Sequence, residues 1–113
     1  MATYAAGMLV LLAFPFSDGV RAKQRPALVL LDTGDPDLLV ARVTSREAGE
    51  ACDVKLTNWH EAGLLLPSTV RLHKLTTLEK HLVKRTLGRL TDEDWTTVRR
   101  TLETLWRGCE KDG

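Results

Sequence analysis

Short apolar runs separated by only a few residues are the feature that most restricts how this chain can fold. Residues 8–14 (MLVLLAF) and 26–31 (PALVLL) are continuously apolar and bounded by turn-forming residues, a pattern typical of buried strands. Neighbouring strands joined by a few residues pair antiparallel, because parallel pairing needs a long crossover connection. The sequence therefore predicts an antiparallel sheet rather than βαβ units.

The rest of the chain continues this pattern and ends in a helix. Alternation and turn signals predict four more strands, at residues 38–44, 53–57, 68–75 and 82–90, with a short turn (TTLEK) before the last. Thr91 opens a capping-box-like TDED, apolar side chains then recur at helical spacing, and Gly108 ends the helix. These elements predict a mainly β fold, a small curled barrel-like sheet with one C-terminal helix, as a single domain over residues 1–113.

Length and charge narrow the classes of function. A chain of 113 residues can bury about two-thirds of its surface, but it has no room for a separate cofactor domain. The net charge of +1 conceals a segregation: residues 19–31 carry +3, residues 69–90 carry +5, and the remainder carries −7. The two basic segments indicate a polyanion-binding face if the fold brings them together. Solvated surface charges explain them equally well at this point.

The cysteines and the N-terminal residues indicate the cellular compartment. Cys52 and Cys109 have no CxxC or Cys/His cluster beside them, so the sequence predicts no zinc or redox site. One disulfide between them stays open, although a reduced chain is the simpler interpretation. No basic residue precedes Arg21, and the apolar stretch before it is too short to span a bilayer. We expect a cytoplasmic protein without a membrane segment.

Three stretches, taken in order, resemble one family. They are AFPFSDGVRAKQRPALVL (residues 13–30), ARVTSR (residues 41–46) and the long stretch from LTNWHEAG to RRTLETL (residues 56–105). Together they resemble the MazF/PemK toxins of type II toxin–antitoxin systems. The resemblance implies an SH3-like, CcdB/MazF-type barrel with a C-terminal helix, acting as a homodimer. It also implies cleavage of single-stranded RNA at a short sequence, without metal or cofactor, and a cognate MazE-like antitoxin that blocks the RNA groove.

The resemblance carries over to individual residues. Arg25 matches the arginine of the family's Arg-Pro motif, which acts at the scissile phosphate, and Thr44 matches its usual catalytic partner. Arg71 falls where some PemK-like members have a catalytic arginine. His73 falls where those members have an aspartate and others a glutamate. This departure leaves the identity of the general base open.

The chemistry of metal-free RNA cleavage suits these residue types. The 2′-OH attacks the adjacent phosphate, leaving a 2′,3′-cyclic phosphate and a 5′-OH. Arg25 offers a fixed charge and a planar fork for phosphate oxygens, Thr44 offers a hydrogen bond, and His73 titrates near neutrality by default. Arg71 would share a strand face with His73. The RNA contacts expected around this centre are those of Phe16, which could stack a base, and of Lys23, Ser45, Arg46 and Lys74.

Two other functions stay open from sequence. The related CcdB toxins share the fold and inhibit DNA gyrase by binding it without catalysis. A basic RNA-binding barrel without turnover is the third hypothesis. The three tryptophans, Trp59, Trp95 and Trp106, are predicted to pack in the interior, with Trp95 or Trp106 as candidates for a dimer or antitoxin contact. The loops at residues 14–24 and 45–52 are expected to determine which RNA bases are recognised.

Overall fold

Strands form where the apolar runs and alternating segments predict them. The computed structural model describes residues 3–14, 23–46 and 49–109, without the side chains of Phe14 and Lys23. The elements are β1 (Met8–Phe14), β2 (Lys23–Leu31), β3 (Asp37–Thr44), β4 (Asp53–Lys55), β5 (Thr69–Glu79), β6 (Val83–Arg89) and α1 (Asp92–Arg107). The strands form a six-stranded sheet in the order β4-β5-β3-β2-β1-β6, and each adjacent pair is antiparallel. The predicted mainly β class with a terminal helix is confirmed.

Three element boundaries were predicted wrongly. β2 begins at Lys23 rather than at residue 26, because residues 23–25 pair with residues 12–14 of β1. The predicted turn at residues 76–80 is mostly strand, because residues 76–79 continue β5 and pair with the first half of β3, while the bend is a single 3-10 turn at Lys80–Leu82. A register shift between Ala41 and Arg42 of β3 lets β5 pair along both halves of its neighbour. The predicted strand at residues 53–57 ends at Lys55. The Leu56 amide still bonds to the Ser68 carbonyl beside β5, but the amides of Thr57 and Asn58 bond to Asp94 instead.

The first two strands are buried on both faces, which explains their continuous apolar runs. Leu9 and Leu28 belong to a large core shared with α1, whereas Val10 and Val29 belong to a second core on the opposite face. Val98 of α1 is fully buried in the first core. The sheet thus separates two apolar layers, and α1 closes the larger one.

A loop, rather than strand pairing, bridges the two edges of the curled sheet. Within the described residues, β4 and β6 remain edge strands. The segment between β4 and β5 crosses to β6, where a Cβ on Gly63 would lie 2.1 Å from the Leu87 carbonyl oxygen, and one on Gly88 would lie 2.2 Å from the Ala62 oxygen. Gly63 also has a φ of +94°, which favours glycine. The two backbones approach closely because neither position carries a side chain.

The N-terminus of α1 fixes the start of the same loop. Asp94, whose side chain is almost entirely buried, accepts hydrogen bonds from the backbone N–H groups of Thr57 (3.0 Å) and Asn58 (2.8 Å). The Asn58 side-chain amide donates to the hydroxyl of Thr91, the N-cap residue, at 2.9 Å. As the capping sequence predicts, three acidic residues occupy the first turn. One of them holds the loop as well as facing the helix dipole.

A buried ion pair joins two further segments of the chain. Lys80 Nζ lies 2.8 Å from Asp32 Oδ1, and both side chains are almost inaccessible to solvent. The hydrogen bond from Lys80, with further backbone N–H bonds from Tyr4 and Gly34, lowers the pKa of Asp32 from 3.8 to about 2. This pair joins the turn after β5 to the end of β2.

Candidate functional site

A cavity of about 480 Å³ opens where β1, β2, β3 and β6 meet the loop between β4 and β5. Three neighbouring strands contribute apolar side chains to it, namely Leu11, Pro26 and Val43. The loop contributes residues 63–66, of which Leu65 and Leu66 are 89% and 58% exposed. Apolar groups left this accessible on a concave surface are typical of a binding site rather than of a core.

Strand pairing brings Arg25 and Thr44 to this cavity. The β2–β3 register pairs Leu28 with Ala41 and Ala27 with Arg42. Continued by two residues, the same register places Arg25 opposite Thr44, and both residues line the cavity. Thr44 Oγ1 accepts the backbone N–H of Arg46 at 3.1 Å, so the hydroxyl proton is left to donate to another group. Thr44 is therefore oriented as a hydrogen-bond donor toward a ligand.

The cavity is strongly cationic. Four arginines line it, Arg25, Arg42, Arg46 and Arg85, and no aspartate or glutamate is among the described residues of the lining. Among the residues that the structure describes, none of these four guanidinium groups takes part in an ion pair. Like charges gathered without counter-charge repel each other, and a bound anion relieves that repulsion. The site is electrostatically suited to a polyanion.

Arg71 and His73 lie outside this lining, in a separate charged cluster. Arg71 Nε lies 3.3 Å from Asp53 Oδ1, and Arg71 Nη2 lies 3.6 Å from Glu50 Oε1. His73 Nε2 lies 3.3 Å from Glu50 Oε2, and His73 Nδ1 lies 3.8 Å from Asp53 Oδ1. Both imidazole nitrogens thus face carboxylates, while the side chain of Asp53 is only 4% exposed. Arg71 and His73 are brought together, but not onto the wall that Arg25 and Thr44 share.

The two groups of cations are nevertheless neighbours on the sheet. Arg71 is the cross-strand partner of Arg42 on β3 and of Asp53 on β4. Asp53 and Glu50 thus offset the charge of Arg71. Its cross-strand partner Arg42 lines the cavity.

The residues expected to contact RNA separate in the same way. Ser45 and Arg46 line the cavity, and Lys74 is exposed on β5 outside it. Phe16 and the side chain of Lys23 lie outside the described residues. Of the tryptophans, Trp59 and Trp95 pack against the larger core as predicted. The packing prediction is wrong for Trp106, which is 74% exposed near the end of α1.

Sequence reasoning missed two arginines and one loop of the cavity. Arg42 stands between the buried Ala41 and Val43, so strand alternation already marked it as an outward charge. Arg85 was visible only as part of a basic segment, since its place beside β1 depends on which strands pair. The loop at residues 63–66 gave no signal, because it reaches the cavity only by crossing to β6.

Other kinds of site find little support in the described residues. In the part of the chain that the structure describes, no group of three or more His, Cys, Asp or Glu side chains is arranged to hold a metal ion. Cys52 and Cys109 are both free. The single described helix is too short and too polar to cross a membrane.

Comparison with known families gives one match over most of the chain. Residues 5–106 match the model of the PemK-like, MazF-like toxin of type II toxin–antitoxin system. Comparison with curated protein sequences gave no significant match.

Several solved structures have the same fold. The MazF chain of a MazE–MazF crystal structure (Form-II) from Deinococcus radiodurans is 25% identical, with a TM-score of 0.77 over 97% of this chain and 100% of that one. An endoribonuclease in complex with its cognate antitoxin, from a mycobacterial species, is 17% identical, with a TM-score of 0.76 over 97% and 100% of the two chains. Mycobacterium tuberculosis toxin MazF-mt6 is 19% identical, with a TM-score of 0.73 over 88% and 96%.

Proposed function

Because the chain belongs to the PemK-like, MazF-like toxin family of type II toxin–antitoxin systems, we propose that it is a sequence-specific endoribonuclease. Its substrate is single-stranded RNA, including mRNA, and its products carry a 2′,3′-cyclic phosphate and a 5′-OH. The observation that carries the proposal is the cavity that Arg25 and Thr44 share with three further arginines, and with no acidic residue within the described part of the chain. Endoribonuclease activity of a mycobacterial protein with the same fold supports it.

The proposed reaction needs no metal, since the nucleophile is the RNA's own 2′-OH. Negative charge grows on the non-bridging phosphate oxygens as the 2′ oxygen bonds to phosphorus and the 5′ oxygen leaves. Arg25 stabilises that charge through its fixed positive charge and forked donors. Thr44 donates a hydrogen bond from its hydroxyl to a phosphate oxygen, while the Arg46 N–H holds the hydroxyl in place. The 5′ oxygen takes a proton from solvent as it leaves.

Proton transfer is assigned to His73, with Arg71 beside it. In the cluster described above both nitrogens of His73 face Glu50 or Asp53. To take the 2′-OH proton, the imidazole must exchange the contact with Glu50, which is exposed, for the RNA. Asp53 stays in place and keeps Arg71 oriented. This assignment depends on movement of one exposed acidic side chain.

The partners and setting follow from the same proposal. A MazE-like antitoxin is the proposed inhibitor, supported by the MazE–MazF complex of Deinococcus radiodurans. We further propose that residues 1–113 form one toxin domain that acts as a homodimer in the cytoplasm, where mRNA is found.

Cleavage of a long test RNA in EDTA, with sequencing of the new 5′ ends, tests the proposal. We expect discrete cuts at one short sequence, and loss of cutting in Arg25→Ala by at least about 10²-fold, because one lost donor to the developing charge costs about that much. Arg89→Ala is the matched control, since Arg89 is exposed on β6 and outside the cavity lining.

Three results would contradict the proposal. A normal cleavage rate in Arg25→Ala would refute the proposed role of Arg25 in stabilising the phosphate. Capture of DNA gyrase with intact RNA would favour a CcdB-like inhibitor. Salt-dependent RNA binding with no turnover at all would leave an inactive RNA-binding barrel.

A further inference from the structure

The four arginines of the cavity carry more positive charge than one phosphodiester, with its single negative charge, can offset. Arg42 is on β3, Arg25 on β2 and Arg85 on β6, with β1 between the last two strands. On β1, Arg25 pairs with Leu12 and Arg85 pairs with the neighbouring Leu11. At about 4.8 Å per strand, the backbones of β3 and β6 are about 14 Å apart. Arginines at the two ends of this span can reach different phosphates of one nucleotide strand.

Charge and apolar surface together indicate what occupies this span. The lining has cations at both flanks and, over the ranges that the structure describes, no acid; the loop beside them exposes Leu65 and Leu66. A strand of nucleotides presents anionic phosphates at intervals, together with flat, largely apolar base faces. It therefore meets both requirements of the cavity, whereas a single free phosphate meets only the first.

Resting on the proposed function, we infer that Arg42 and Arg85 bind phosphates on either side of the one that is cleaved. Arg25 and Thr44 contact the central phosphate, Arg85 holds a neighbouring phosphate at the β6 flank, and Arg42 holds another at the β3 flank. Arg42 and Arg85 are positioning residues in this scheme, because they touch the RNA away from the bonds that change. The minimal substrate is then an RNA with at least one phosphate on each side of the cut.

The ion pairs of the neighbouring cluster explain why Arg42 is available for this role. Arg71, its cross-strand partner, is held by Asp53 and Glu50, so its charge is already matched. Arg42 and Arg85 form no ion pair within the described ranges. Binding a phosphate costs them no existing salt bridge, which favours these two positions over Arg71 for substrate binding.

The experiment uses the full chain and an RNA that cannot be cut, in which the cleaved nucleotide has a 2′-deoxyribose. A series of such oligonucleotides carries one neutral methylphosphonate linkage at each position in turn. Affinity is measured for wild type, Arg85→Gln, Arg42→Gln and the control Arg89→Gln. Each pairing of a variant with a neutral linkage forms a double-mutant cycle.

We expect Arg85→Gln and Arg42→Gln each to lower affinity about tenfold or more, as the loss of a charge-assisted contact predicts. For each variant, neutralising the one linkage that the lost arginine would contact should cause no further loss of affinity. These two linkages should lie on opposite sides of the cut. The slope of log affinity against log salt should fall by about 0.7 per variant. Arg85→Lys should restore the slope, and Arg89→Gln should match wild type. In cleavage assays, KM should rise more than kcat falls.

Other outcomes overturn the inference without touching the proposed function. If neutral linkages weaken wild type and both variants equally, neither arginine contacts a flanking phosphate. If the variants bind RNA normally but lose affinity for an acidic peptide, the flanks of the cavity serve a protein partner instead. Failure of the wild-type protein to bind or cut any RNA would instead refute the proposed function itself.

Discussion

Asp94 is the carboxylate on which the wall of the cavity depends most directly. It is 2% exposed and accepts two backbone N–H bonds, from Thr57 and Asn58, at the start of the loop that carries residues 63–66 to the cavity. Asp94→Ala removes both acceptors and leaves two part-buried N–H groups without a partner. Asp94→Asn keeps one carbonyl acceptor but turns an amide donor toward the other N–H.

The magnitude follows from these contacts. A hydrogen bond to a charged group contributes about 1.5–3 kcal/mol, so losing two costs about 3–6 kcal/mol. That is a large part of the 5–15 kcal/mol typical of a whole domain. For a chain of this length, about 4 °C of Tm is lost per kcal/mol, which gives a decrease of about 12–25 °C. Asp94→Asn should lie between Asp94→Ala and wild type.

Urea unfolding followed by tryptophan fluorescence measures the effect, because Trp95 follows Asp94 in α1 and packs on the core. All variants are compared at one protein concentration. Asp92→Ala is the matched control: Asp92 is exposed in the same helical turn and contributes only its interaction with the helix dipole, about 0.3–1 kcal/mol. If Asp94→Ala is no more destabilising than Asp92→Ala, the loop is not held by this carboxylate.

Three further outcomes are expected. Gly88→Ala should destabilise the fold by about 1–3 kcal/mol or more, because its Cβ would lie 2.2 Å from the Ala62 carbonyl oxygen. Gly49→Ala is the control, since the space around Gly49 is open. Equal melting temperatures of the two variants would contradict the close approach. Since the pKa of Asp32 is lowered to about 2, its stabilising effect is complete above about pH 4–5 and is lost as pH falls toward 2. Asp32→Asn should therefore be less stable at pH 7 and flatten the acid limb of a pH-dependent unfolding curve; an unchanged limb would refute the assignment. His73→Ala should slow cleavage by about 10²-fold or more and change the shape of the pH–rate profile, whereas a near-wild-type rate would place proton transfer on another group.

The strands and the helix were predictable from local sequence because their signals are local. Continuous apolar runs identify β1 and β2, whose two faces are both buried, and the TDED cap identifies the start of α1. The boundary errors arose where a residue distant in sequence determines whether a segment is strand. Residues 76–79 are strand because β3 offers them a ladder, and β4 stops early because Asp94 takes the amides of Thr57 and Asn58.

For the candidate site, local sequence identifies the chemical groups that are available: an arginine before a proline, a threonine at the end of a strand, and basic segments in an acidic chain. Which of these groups meet depends on how the strands pair and curl. Sheet register and curvature bring Arg25, Thr44, Arg42 and Arg85 to one cavity, while Arg71 and His73 lie beside it in contact with Glu50 and Asp53. Strand order and loop crossings join residues far apart in the chain, and no local pattern encodes such contacts.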